Sequence, residues 1–221
     1  MSGQLSSVTE RLAERLTRPV GPADRGRARA HLLDALACMV AGAREADCAA
    51  IRRLASEEGA GPCQVIGGDR TGPQAAALAN GSAAAILEMD DVDRRGLLHP
   101  GPVVIPAALA AAEARRLDDG SAVLVAIVRG YEAMIAIGAT LDARHYAFWH
   151  NTTTAGVFGA AAAVASLFGC DADEMVSALG LAGSVSGGFW QMRHEPVAAK
   201  QWHLAHALQT GGSAAFYAAH G

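Results

Sequence analysis

Between Thr152 and Gly169 the chain carries no charged side chain, and the run is built largely of Ala, Gly and Thr. Such residues gain little by entering lipid, so the stretch predicts a helix enclosed by protein rather than one crossing a bilayer. A helix without a polar face needs neighbours on every side. The composition supplies them: 51% of residues are hydrophobic, much of that Ala, with 25 Gly and only 5% aromatic residues. Ala favours the helix more than any other residue, and small side chains let helices approach closely. The 221 residues therefore predict an all-α fold, a packed helical bundle in which residues 1–221 form one domain.

Charge excludes several functions. Lys+Arg 18 against Asp+Glu 22 gives −4, with no basic face for nucleic acid or an anionic membrane. The few aromatics also leave little for base stacking. Cys38, Cys48, Cys63 and Cys170 show neither C-x-x-C spacing nor a Cys/His cluster, which argues against a disulfide scaffold and a structural zinc site. The N-terminal MSGQLSSVTERLAERL lacks the apolar core of a secretory signal, so a soluble, cytoplasmic protein is expected. No P-loop or G-x-G-x-x-G pattern is present, and no organic cofactor is expected.

Local signals place the elements. Ser7 and Glu10 form a capping box for a helix to about Thr17, ended by Pro19 and Pro22. Further helices are predicted over Asp24–Ala43, Asp47–Glu58, Thr71–Leu87 with Thr71 as cap, Val103–Arg116, Ser121–Leu141 with Ser121 as cap, and Thr152–Phe168. A box at Asp171 and Glu174 opens a helix to about Ala182, and Lys200–Ala219 is the last. Cys63–Ile66 suits a short strand. Met89–Pro102, Asp142–Asn151 and Gly183–Ala199 are predicted as connections.

Ionisable residues collect in these connections: Glu88-Met-Asp90-Asp91 through His99-Pro-Gly, Arg144-His145 through His150-Asn151-Thr152, Arg193-His194-Glu195, and Lys200 with His203 and His206. Loops on a rigid scaffold are where function concentrates, and also where charges are simply tolerated. His99 is equally a turn residue with a solvated ring. His150 could merely cap the following helix, whose free N–H groups could also take an anion. Lys200 and His203 share a helix face and could both be solvated. His203 and His206 lack an H-E-x-x-H arrangement or an obvious third ligand, so no metal site is expected. Asp90-Asp91 suits a carboxylate pair or a turn. Taken together these groups fit removal of carbon dioxide or water from a small carboxylated or β-oxygenated compound, which needs cations for carboxylates and His for proton steps.

The segments HLLDALACMVAGA (31–43), AALANGSAAAILEMDD (76–91), HPGPVVIPAALAAAEA (99–114), RGYEAM (129–134), FWHNTTTAGVFGAAAAVASLFG (148–169), ALGLAGSVSGG (178–188) and AAKQWHLAHALQTGGSAAFYAAHG (198–221) together resemble the MmgE/PrpD family of dehydratases, decarboxylases and epimerases. The resemblance implies the larger, all-α domain of a homodimeric, cofactor-independent enzyme, closed in the family by a smaller lid domain. The family's catalytic His in H-P-[SG] falls on His99, the His after an aromatic pair on His150, its Lys on Lys200 and the next His on His203. Its acidic motif falls on Glu88, Asp90 and Asp91. The resemblance thus implies His99 or His150 as proton carrier, Lys200 for a carboxylate or enolate, and Asp91 to orient a His or relay a proton. Glu88, Asp90 and His203 are expected at the substrate. Ala85, Glu88 and Val92 stand where the family usually has His, Asp and Thr, and Val92 cannot hydrogen-bond. One residue more separates Asp91 from His99 than in the decarboxylase branch.

The family's chains are about twice as long. Three arrangements follow as expectations: a lid supplied by a separate chain, a helical domain acting alone on a bulkier or less charged substrate, or a non-catalytic helical subunit. Isomerase, epimerase or cyclase chemistry would use the same proton-transfer groups.

Overall fold

Side-chain caps or first-turn prolines, both written in the sequence, set the starts of seven of the α-helices among the described residues. The structure, a computed structural model, describes residues 6–195 and 199–221. Among these, α1 (Val8–Leu16), α2 (Pro22–Gly42), α3 (Ala49–Glu57), α4 (Pro73–Ala85), α5 (Gly101–Ala114), α6 (Gly120–Gly138), α7 (Ala143–Phe148), α8 (Asn151–Phe168), α9 (Ala172–Ser184) and α10 (Ala199–His220) follow one another. Strands β1 (Cys63–Gln64) and β2 (Arg70–Thr71) form one antiparallel pair, with Cys63 opposite Thr71. The all-α expectation holds. Residues 196–198, within the predicted Gly183–Ala199 connection, lie outside the described residues; its described part contains a 3-10 turn at Trp190–Arg193.

Capping boxes open α1 at Ser7 and α9 at Asp171. Elsewhere a neighbouring residue takes over. Asp119, not Ser121, caps α6: its Oδ1 accepts from the Ser121 and Ala122 amides. Pro22 opens α2 instead of closing α1, because a first-turn residue needs no N–H. Thr71 lies in β2 rather than at a helix cap. Its buried hydroxyl meets the carbonyls of Ala55 and Gly59 at 2.9 and 2.8 Å, and Gly72 takes the cap position of α4. The Asp142–Asn151 connection contains α7, opened by Asp142 Oδ1 accepting from the Arg144 and His145 amides.

The uncharged stretch forms α8, nearly all of it buried. Helices α6 and α10 flank it, with α5 and α9 completing the enclosure. Small residues set the approach. A Cβ on Gly130 of α6 would stand 2.8 Å from the Gly159 carbonyl of α8, and one on Gly159 would stand 3.1 Å from the Gly130 carbonyl. Met39, Ile105, Met134, Met175, Leu204 and Leu208 fill the space between helices. Among the described residues the helix long and apolar enough to cross a membrane is α6, not the Thr152–Gly169 stretch; its mean hydropathy is 1.6, and 33% of that window is buried. Asn151, the three threonines that follow it, Ser166 and the glycines lower the hydropathy of α8, and its small residues suit it to close packing.

Candidate active site

The loop from α4 to α5 is bent at two strained residues, Glu88 (φ 52°) and Leu97 (φ 49°), each in a left-handed conformation that side chains other than Gly adopt at a cost. Asp93 and Leu98 exchange backbone hydrogen bonds of 2.9 and 3.2 Å, pinching the loop shut. Its two consecutive acids are thereby aimed at different partners. Asp90 is buried, with Oδ2 2.8 Å from His99 Nδ1. Asp91 Oδ1 accepts from the Gly101 amide at 2.8 Å, at the start of α5, where a carboxylate suits the helix dipole. Asp91 Oδ2 accepts from Tyr131 OH at 2.8 Å and lies 2.9 Å from His31 Nδ1.

This geometry gives the two acids different partners. Asp90, expected at the substrate, is the carboxylate on His99. Asp91, expected to orient a His or relay a proton, faces His31 and Tyr131 and anchors the first turn of α5. The close fit leaves no room at position 101, where a Cβ would stand 2.7 Å from Asp91 Oδ1. Burial, then the Asp91 charge, pushes the Tyr131 phenol up, so it remains a donor to that carboxylate.

His150 occupies the N-cap position of α8 but does not cap it with its side chain. It is 2% exposed. Its amide donates to the Gly188 carbonyl at 2.8 Å, and its Nδ1 lies 2.9 Å from Thr153 Oγ1. The ring stacks on Trp190 at 4.4 Å and sits 5.7 Å from the His203 ring. Burial, aided by the charges of His203, Lys200 and His99, pushes His150 down to about 3, so it is neutral near pH 7. Burial, then His206, also lowers His203. Lys200, in the first turn of α10, pairs through Nζ with Glu88 Oε1. The start of α8 touches the loop directly, since the His99 amide donates to Thr152 Oγ1 at 3.2 Å.

His99, His150, Lys200 and His203 thus gather with Glu88 and Asp90 at one end of the bundle, where the loop after α4 meets the starts of α8 and α10. Six buried side-chain polar atoms lack partners among the described residues, and three belong to this end: Asp90 Oδ1, Trp190 Nε1 and His203 Nδ1. Unpaired buried groups cost about 1–3 kcal/mol each, so water or a polar ligand at this end would find partners there. No three His, Cys, Asp or Glu side chains among the described residues are grouped as metal ligands; His203 and His206 acquire no third.

Thr153, Trp190, His31 and Tyr131 are not singled out by the sequence. Thr153 follows His150-Asn151-Thr152 directly, which is a usable signal. Trp190 and the His31–Tyr131 pair are joined to the site only by folding. A cavity of about 530 Å³ includes His31 and Tyr131 in its lining, with Arg15, Arg27, Arg95 and Glu132, and none of His99, His150 or Lys200. A groove of about 340 Å³ instead adjoins them through Thr153 and His203.

Comparison with known proteins agrees with this architecture. The cis-aconitate decarboxylase-like protein oryM of Aspergillus oryzae is 34% identical over 187 residues, covering 80% of this chain and 39% of that protein. Cis-aconitate decarboxylase of Aspergillus terreus is 34% identical over 164 residues, 71% of this chain and 34% of its own length. The chain therefore aligns with well under half the length of these relatives. The MmgE/PrpD N-terminal domain matches residues 17–221. With that match covering nearly all of its length, the chain belongs to the MmgE/PrpD family.

Proposed function

We propose that the chain carries the proton-transfer groups of a decarboxylase-type lyase acting on a small unsaturated carboxylate. The observation that carries this reading is the Asp90–His99 pair set at the same end of the bundle as neutral His150 and Lys200. A carboxylate on Nδ1 fixes the His99 ring and leaves Nε2 to exchange a proton with substrate. Neutral His150 is suited to hydrogen-bond a developing oxyanion rather than to take a proton. Lys200 supplies a cation, held in place by Glu88.

In the proposed step the bond to the departing carboxylate breaks and carbon dioxide leaves. The electron pair moves into the conjugated acid as a dienolate, stabilised by Lys200 and His150. Protonated His99 then delivers its proton to the new carbon centre and recovers one from solvent. The names of the curated relatives favour decarboxylation over dehydration; water loss would use the same His99 as base.

The test is turnover by the purified protein of cis-aconitate and of related unsaturated acids, followed by product mass. Loss of carbon dioxide is expected. His99→Gln and Asp90→Asn are expected to lower kcat by roughly 10²- to 10⁴-fold, the usual range for general acid–base groups. Undiminished turnover in both variants, or a product of unchanged mass, would overturn the proposal.

A further inference from the structure

The groove beside the proton-transfer groups includes Phe189, Met192 and Trp202 in its lining, with Gln191 and His206 among its polar members and, among the described residues, no Asp, Glu, Lys or Arg. It is continuous with the site: Thr153 Oγ1 contacts His150 Nδ1, and the His203 ring faces the His150 ring. Its aromatic wall is held from behind, where Phe189 stacks on Trp149 at 4.3 Å and their backbones form a bridge. Yet Phe189 and Trp202 are 62% and 56% exposed, an apolar surface spent next to a polar site. Meanwhile Lys200 faces Glu88, and Arg193 lies over the Tyr146 and Trp190 rings.

We infer that the substrate carries an apolar arm, and that this arm lies in the Phe189–Met192–Trp202 groove with its carboxylate directed to Lys200. This rests on the proposed lyase reading and narrows its substrate class to alkyl- or aryl-bearing acids. Continuity through His203 and Thr153 selects the substrate itself as the occupant. An arm attached to the reacting carbons must leave the site somewhere, and this side offers apolar walls.

Binding of straight-chain monocarboxylates from acetate to octanoate, measured by calorimetry, tests the inference without requiring turnover. Affinity is expected to rise roughly two- to fourfold per added methylene, the upper figure being full burial of each group. Trp202→Ala combined with Phe189→Ser should flatten that rise, and both side chains are exposed enough for the fold to survive. Lys200→Met should weaken every acid by the same factor. Phe216→Ala, on a separate apolar groove, should leave the series unchanged. Affinity independent of chain length, or an unaltered rise in the double variant, would overturn the inference. A chain-length series without turnover of any acid would keep the groove and remove the lyase reading. Turnover of short acids without a chain-length series would do the reverse.

Discussion

Replacing His150 by Gln should make the protein less sensitive to acid, whatever it does to stability at neutral pH. In the native chain the imidazole is buried against Trp190 and held down to about 3. In the unfolded chain it titrates near its ordinary value of about 6.5. Between those values the unfolded state binds a proton that the native state refuses, so stability falls as pH falls through this window. At about pH 4.5 the unfolded imidazole is almost fully charged and the native one almost fully neutral. The difference relative to about pH 8 is then about 3 kcal/mol for this single residue. That is a large share of a typical domain's total of about 5–15 kcal/mol. The assay is urea unfolding at both pH values for the wild type and His150→Gln. The loss of the Thr153 contact lowers the variant equally at each pH, and the lowered His203 contributes to both proteins, so both cancel in the comparison. The wild type should lose about 3 kcal/mol more than the variant on acidification. Equal losses would show that the buried ring titrates normally and that burial against Trp190 does not hold it neutral.

Gly101→Ala should destabilise the protein by about 1–3 kcal/mol, the usual cost of overpacking, because the added methyl would stand 2.7 Å from Asp91 Oδ1; a thermal midpoint within error of the wild type would contradict the anchoring of α5. All four cysteines are buried and free, and burial pushes Cys63 up to about 11. A thiol reagent at neutral pH should therefore label none of them until urea unfolds the chain, as followed by intact mass.

Helix existence was legible because it is local chemistry. The boxes at Ser7 and Asp171 lie within one turn of what they cap. Where two cap residues stand close together, as at Asp119 and Ser121, local pattern alone does not choose between them. Thr71 shows the other limit: a Thr before Gly-Pro resembles a helix start, but its hydroxyl is claimed by the Ala55 and Gly59 carbonyls, which only tertiary packing brings near. The site followed the same rule. The types and loops of His99, His150 and Lys200 were visible in the chain. The neutrality of His150 was not, since it depends on Trp190 and His203 closing over it.

The Asp90-Asp91 pair shows why identity alone could not assign roles. Both are acids in one loop, and nothing in their order says which meets His99. The strained backbone at Glu88 and the pinch at Asp93–Leu98 decide it, aiming one carboxylate at His99, the proposed proton carrier, and the other at a helix start. The two jobs pull in different directions. A carboxylate that accepts from Gly101 and Tyr131 while facing His31 has little freedom left for chemistry. One whose second oxygen remains unpaired, as Asp90 Oδ1 does, retains it. Placing both on consecutive residues couples them: the first turn of α5 is fixed through Asp91, and His99, two residues before Gly101, inherits that rigidity. Loss of the Asp91 carboxylate should therefore be felt first as lost structure, and loss of the Asp90 carboxylate first as a His99 ring without its orienting partner.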